Sequence, residues 1–512
     1  MQKYTFFLYF CPLKIDILGT IKKLAGQTAI YGLPTILGRL LNYLLVPLQT
    51  YIFATDKYGI VGELYAWTSL IFVILTFGME TTFFRFSQQH ENREKTFSMV
   101  SIFLFITSTL FILFSSLFSE NIASYLRFPE HPEYIVYMAF IVGTDAFTSV
   151  HFARFRLIQR PIKFAFLKSV NIFTNIFLNV FFLVLCPYLE DVHFAPKLMS
   201  IIFNREIGIG YIFIANLVAS IITLVLLIPD IIKIEWKFDF DYFKKMIKYA
   251  FPLVIFGLAT IVNDTMNRIF IKNFGPVESA QSMVGIFNAC FKISIFMTIF
   301  IQAFKYAAEP FFFSKANDFD AKKAYSDIMN VIVIICSIMF LGITLYMDII
   351  QYFVGPDYRV GLGIVPILLL ANLFSAILYN LSIWYKLSDK TIYGAFISIF
   401  GATITVTLNI VLIPKFGFMG AAWASFFCYF SMMVSSYLLG QKFYRVNYDI
   451  KKIIFYIVFA VLVYYVSTFI HIQNFSLKML IQTLLLFAYI GVVFKMNPGA
   501  FGSLKRVLLR KK

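Results

Sequence analysis

The chain has 512 residues, 60% of them hydrophobic and 14% charged, with a mean hydropathy of +0.79. These values exclude an ordinary soluble domain and point to an all-α integral membrane protein. The net charge of +17 would suggest nucleic acid as a partner in a soluble protein; in so apolar a chain nucleic acid is not expected, and basic loops lying against anionic membrane lipids are the better reading.

Residues 1–20 hold one apolar patch, Phe6 to Cys11, shorter than a signal-peptide core and without a small-x-small cleavage site. They read as a cytoplasmic leader. Crossing the hydrocarbon takes about 20 apolar residues, and fourteen such runs follow. Six lie at 25–54, 58–84, 97–119, 133–153, 164–187 and 208–231, six more at 247–271, 279–304, 326–354, 360–385, 391–414 and 417–441, and a final pair at 452–472 and 476–494.

Span 1 carries Pro34, which removes a backbone hydrogen bond and marks a hinge candidate. It also carries Arg39, 16 residues from both Lys23 and Thr55 and so near the midplane. An arginine there faces a cavity or pairs with a buried carboxylate, and its bidentate fork suits a phosphate. Span 2 holds Glu63 within it and Glu80 and Arg85 near its cytoplasmic end. Asp145 lies near the middle of span 4, and Glu63 and Asp145 are each either a proton site or a hydrogen-bonded carboxyl. Arg154, Arg156, Arg160 and Lys163 crowd the next loop, where the positive-inside rule accounts for them and a lipid-collecting rim is the alternative.

Span 7 has a second proline, Pro252, then Asp264 and Arg268 four residues apart. That spacing fits an intrahelical ion pair; in the functional alternative Arg268 contacts substrate and Asp264 carries a coupling proton or sodium ion. Lys292 sits mid-span on helix 8, suited to cavity exposure or to pairing with Asp264, and Glu309 lies near that helix's cytoplasmic end. The five cysteines fall in or beside apolar runs without metal-ligand spacing and read as small buried residues.

With the N-terminus taken as cytoplasmic, 32 of the 44 Lys and Arg fall in cytoplasmic segments, 8 in outer loops and 4 within spans. That bias predicts both termini inside. The largest outer loop, 187–207, is too short for a folded domain or for the catalytic groups of a polymerase or ligase, so an enzyme is not expected. No phosphate-binding glycine loop is present, so ATP is not expected to drive the protein.

The chain also repeats itself. Pro34 aligns with Pro252, Leu178-Asn179 with Leu408-Asn409, and Gly208 to Ser220 with Gly417 to Tyr429. Spans 1, 5 and 6 therefore map in order onto 7, 11 and 12, predicting a leader (1–20), a six-helix lobe (21–235), a parallel six-helix lobe (236–445), a helix pair (446–497) and a basic tail (498–512). Parallel halves around a midplane cavity are a transporter architecture.

The stretches KKLAGQTAIYGLPTILGRLLNYLLVPL (Lys22 to Leu48), YGIVGELYAWTSL (Tyr58 to Leu70), FGMETTFFRF (Phe77 to Phe86) and TLNIVLIPKFGFMGAAWAS (Thr407 to Ser425) resemble the polysaccharide-biosynthesis, O-antigen flippase branch of the multidrug/oligosaccharidyl-lipid/polysaccharide (MOP) exporter superfamily. The last stretch resembles lipid II flippases as well. The resemblance implies alternating access in a bacterial inner membrane, with lipid-linked oligosaccharide on a polyprenyl pyrophosphate as cargo, a proton or sodium gradient as drive, and polysaccharide polymerase and chain-length proteins as candidate partners. A cation-coupled small-molecule exporter or a lipid II flippase-like protein of the same superfamily is the alternative. On this reading Arg39, Arg268 and Lys292 are substrate-binding candidates. Asp264, Glu80, Arg85, Asp145 and Glu309 are candidates for ion coupling or for a cytoplasmic gate. Under the Pro34–Pro252 alignment Arg39 corresponds to Gly257, so the basic lining is expected to be asymmetric between lobes.

Overall fold

The computed structural model describes residues 38, 40–88, 93–315, 321–388 and 390–496, except the side chains of residues 306, 307, 309–311 and 313–315. Among the described residues thirteen helices are long and apolar enough to cross a membrane, preceded by a shorter apolar helix, Leu40–Ile52 (α1). The first lobe continues with α2 (Thr55–Phe86), α3 (Arg93–Leu117), α4 (Glu133–Leu157), α5 (Pro161–Asp191) and α6 (Gly210–Ile231). The second comprises α7 (Phe240–Asp264), α8 (Ala280–Lys315), α9 (Ala321–Thr344), α10 (Pro356–Leu387), α11 (Ile392–Phe416) and α12 (Phe418–Phe443). The final pair, α13 (Ile450–Thr468) and α14 (Phe475–Met496), packs on α9.

Local chemistry sets the breaks. Phe77 and Gly78 adopt positive φ and turn α2 before its last two turns; Gly417, also at positive φ, joins α11 to α12. Asp239 caps α7 by accepting from the Tyr242 amide at 2.9 Å, and the same carboxylate binds Lys95 Nζ at 2.6 Å.

Helix 7 is not one continuous span, contrary to the expected run 247–271. It passes through Pro252 as helix, stops at Asp264, and restarts as a short helix, Asn267–Phe274. Discontinuous helices near the midplane leave free backbone ends and reorient the side chains beyond the break.

The lobes meet where α2 crosses α8. A Cβ added to Gly59 would fall less than 2.5 Å from the Gln281 carbonyl oxygen, and one added to Gly285 equally close to that of Thr55. Thr55 and Gln281, like Gly59 and Gly285, are 226 residues apart. The contact is thus reciprocal, as expected when two like halves meet about a pseudo-twofold axis. Around it Gly355 N donates to Thr50 Oγ1 at 3.0 Å, Tyr358 OH to the Phe53 carbonyl at 2.8 Å, and Arg359 Nη2 to Tyr51 OH at 3.0 Å. These bonds and the buried rings of Tyr58, Phe287 and Tyr358 form a continuous inter-lobe seal at one end of the molecule.

A candidate cavity between the lobes

Below the seal lies a cavity of about 980 Å³, walled by α1, α2, α5 and α6 of the first lobe and by helices of the second. It extends to Lys305 and Lys386, on the parts of α8 and α10 remote from the seal.

The second lobe supplies every charged lining residue among those described: Asp264, Arg268, Lys292, Lys305 and Lys386. Arg268 sits just past the break in helix 7 and is only 7% exposed. Its Nε donates to Asn288 Oδ1 at 2.8 Å, and its guanidinium lies 4.7 Å from the centre of the Phe291 ring. Lys292, one turn beyond Asn288 on α8, is its positively charged neighbour. Among the described residues no carboxylate pairs with either. Two like charges held close in a partly dehydrated site are unfavourable unless an anion joins them. Nearer the mouth, Lys305 and Lys386 lie 4.7 and 5.1 Å from the centre of one ring, Tyr379.

The expected Asp264–Arg268 ion pair does not form. The break between them turns Arg268 toward Asn288, while Asp264 accepts a hydrogen bond from Tyr429 OH. Nor does Lys292 pair with Asp264; both line the cavity separately. Glu80 is paired with Arg156, Glu94 with Arg154, and Lys163 with Asp230, all within the first lobe. The rim bases are thereby largely neutralised, and Glu80 bridges neither to Arg85 nor to the other lobe. Asp145 accepts from Ser220 Oγ at 3.0 Å with Lys168 as its charged neighbour, outside the cavity lining. Arg39, Pro34 and the Glu309 side chain lie outside the described residues. Gly257 packs against α2, where an added Cβ would be 2.9 Å from Val73 Cγ1.

Glu63 is 1% exposed and stands 3.9 Å from Lys272, which also donates to the Gln281 side chain. Lys272, expected in an outer loop, is instead buried in the short helix after the break, so this ion pair joins the two lobes beside the seal.

Sequence reasoning missed Lys305 and Lys386, each one residue past its expected span. It also missed a set of amides on the first lobe's wall. Asn171, Asn175 and Asn179 recur every four residues on α5, a spacing visible in the sequence. Gln49 Nε2 donates to Asn179 Oδ1 at 3.2 Å, Asn179 Nδ2 to Asn175 Oδ1 at 3.1 Å, and Asn175 Nδ2 to Asn42 Oδ1 at 3.1 Å.

The fold is similar to that of lipid II flippase MurJ in an inward closed conformation, with a TM-score of 0.69 at 14% identity over 91% of this chain and 98% of that one. It is similar to an inward-facing multidrug resistance MATE family transporter of the MOP superfamily (TM-score 0.61, 13% identity, 81% and 97% covered) and to a Vibrio cholerae MATE transporter (0.56, 12%, 82% and 98%). No curated protein sequence matches the chain. The family described as polysaccharide biosynthesis protein matches residues 24–317, more than half of the chain. With that match over more than half of its length, the chain belongs to the polysaccharide biosynthesis protein family, and its fold is the one seen in transporters of the MOP superfamily.

Proposed function

We propose that this protein is a transporter that carries a polyprenyl-pyrophosphate-linked oligosaccharide repeat unit across a bacterial inner membrane by alternating access, for O-antigen, capsule or exopolysaccharide assembly. The observation that carries this reading is the pair Arg268 and Lys292, neighbouring positive charges with no carboxylate partner among the described residues, inside an intramembrane cavity. A pyrophosphate supplies the missing negative charge, and Arg268 offers it a planar donor fork. Lys305 and Lys386 lie on the way to this site from the end remote from the seal, the end that the Lys and Arg distribution predicts to face the cytoplasm. Headgroup transfer through unaided hydrocarbon is prohibitive, and this lining replaces part of its hydration. A carrier of cationic drugs calls for the opposite lining, mainly acidic, whereas Asp264 is the one carboxylate among the described lining residues. We assign Asp264 to the coupling proton or sodium ion.

The test is genetic. Deleting the gene should accumulate lipid-linked repeat units on the cytoplasmic leaflet, and the wild-type gene should clear them. Arg268→Ala should fail to complement, whereas Arg268→Lys, which keeps charge without the fork, should complement weakly. Full rescue by Arg268→Ala would overturn the phosphate role. The same strain tests Arg39→Ala, and Asp264→Asn should uncouple transport from the ion gradient.

A further inference from the structure

The two walls of the cavity differ in charge, although both carry amides, the second lobe through Asn263, Asn288, Gln302 and Asn372. Whereas the second lobe brings Arg268, Lys292, Lys305 and Lys386, the described lining from the first lobe carries no charge and is rich in side-chain amides. Asn171, Asn175 and Asn179 form a row on one face of α5 about 12 Å long. Asn175 and Asn179 join the hydrogen-bonded chain that runs from Gln49 to Asn42, so their carboxamides are held in fixed orientations. Asn171 is tethered through Thr223 Oγ1 at 3.1 Å, and Asn216 through Tyr65 OH at 2.9 Å.

An asparagine has two N–H donors and two acceptor lone pairs, so Asn42, Asn171, Asn175 and Asn216 keep hydrogen-bonding capacity for a guest, whereas Asn179, 1% exposed and with its amide donating to the Asn175 carbonyl and Oδ1, orders the row from behind. A sugar hydroxyl both donates and accepts, which matches an amide and makes poorer use of a donor-only lysine. Pre-oriented amides also bind without a further ordering cost. Building on the pyrophosphate reading above, we infer that Asn171 and Asn175 with Asn42 and Asn216, ordered from behind by the buried Asn179 and Gln49, form a glycan subsite for an uncharged, hydroxyl-bearing oligosaccharide, separate from the phosphate subsite on the second lobe.

Binding to the purified full chain in lipid nanodiscs tests this, with two probes: a short-chain polyprenyl pyrophosphate, and the same lipid bearing a neutral disaccharide. The wild type should bind the glycosylated probe about tenfold more tightly, the gain expected of two or so net hydrogen bonds. Asn171→Ala with Asn216→Ala, which leaves the Gln49–Asn42 chain intact, should abolish that preference while binding the bare lipid like wild type, a result that also shows the variant is folded. Asn175→Ala should act in the same direction. Arg268→Ala should weaken both probes alike. The inference is overturned if the wild type shows no preference, if the asparagine variants keep it, or if they lose both probes together, which would make the amides structural. Equal or tighter binding of a uronate-bearing disaccharide overturns the uncharged-glycan assignment. Failure of the wild type to bind even the bare pyrophosphate refutes the underlying transport reading, and the inference with it.

Discussion

The α2–α8 crossing makes a quantitative demand on two glycines. A methyl group at Gly59 would lie less than 2.5 Å from the Gln281 carbonyl oxygen, whereas ordinary van der Waals contact begins at 3.4 Å. Since the obstacle is backbone, no rotamer change relieves it, and Gly59→Ala must part the helices by about 1 Å or more. Overpacking of this kind costs about 1–3 kcal/mol. It falls on the sealed conformation alone, so the equilibrium should shift about 5- to 150-fold toward states with the lobes apart at this end. Spin labels at the exposed Ile52 and Tyr352, beside the point where the Tyr51 hydroxyl meets the Tyr352 carbonyl at 3.2 Å across the seal, report the change. Strong dipolar broadening in the otherwise wild-type chain should fall sharply with Gly59→Ala and with Gly285→Ala. Gly342→Ala is the control, because its added Cβ meets nothing within 4 Å. Like any helical Gly→Ala change it should only raise helix stability slightly, by about 0.5–1 kcal/mol. Unchanged broadening in both seal variants would refute the argument that the backbone-close crossing holds this end shut.

Two other perturbations follow from the same contacts. Glu63→Gln removes the carboxylate 3.9 Å from Lys272, leaving it the Gln281 side chain, and should destabilise the fold by about 1–3 kcal/mol, while Glu63→Gln with Lys272→Met should recover most of that loss, as read by thermal melting in detergent; equal melting of the single variant and wild type would contradict the pairing. The hydrogen bond from Lys95, together with the Tyr242 amide, holds the Asp239 carboxyl below its usual pKa. A lowered folded-state pKa stabilises the fold above the unfolded value and is lost as pH falls through the folded one. Asp239→Asn should therefore melt below wild type at neutral pH, with the difference closing below about pH 4; a gap that persists in acid would show that charge is not its origin.

Much of the architecture was legible because hydropathy is local. A helix in lipid must be apolar along its own length whatever its neighbours are, so the thirteen described spans stand close to where counting put them, and the ordered matches of spans 1, 5 and 6 with 7, 11 and 12 disclosed two like-oriented halves. Composition likewise singled out Arg268, Lys292 and Asp264 as costly intramembrane charges, all of which line the cavity. What those charges face was settled only by tertiary structure. Helical periodicity put Asp264 and Arg268 on one face, but that argument assumes an unbroken helix, and the break at Thr265 and Met266 cancels it. The Glu63–Lys272 bridge joins residues 209 apart, and the Gly59–Gly285 crossing residues 226 apart. No periodicity reaches across such distances. Sequence determined which groups enter the membrane; the packing of one lobe on the other decided which of them pair, which close the seal, and which keep their charge turned toward the cavity.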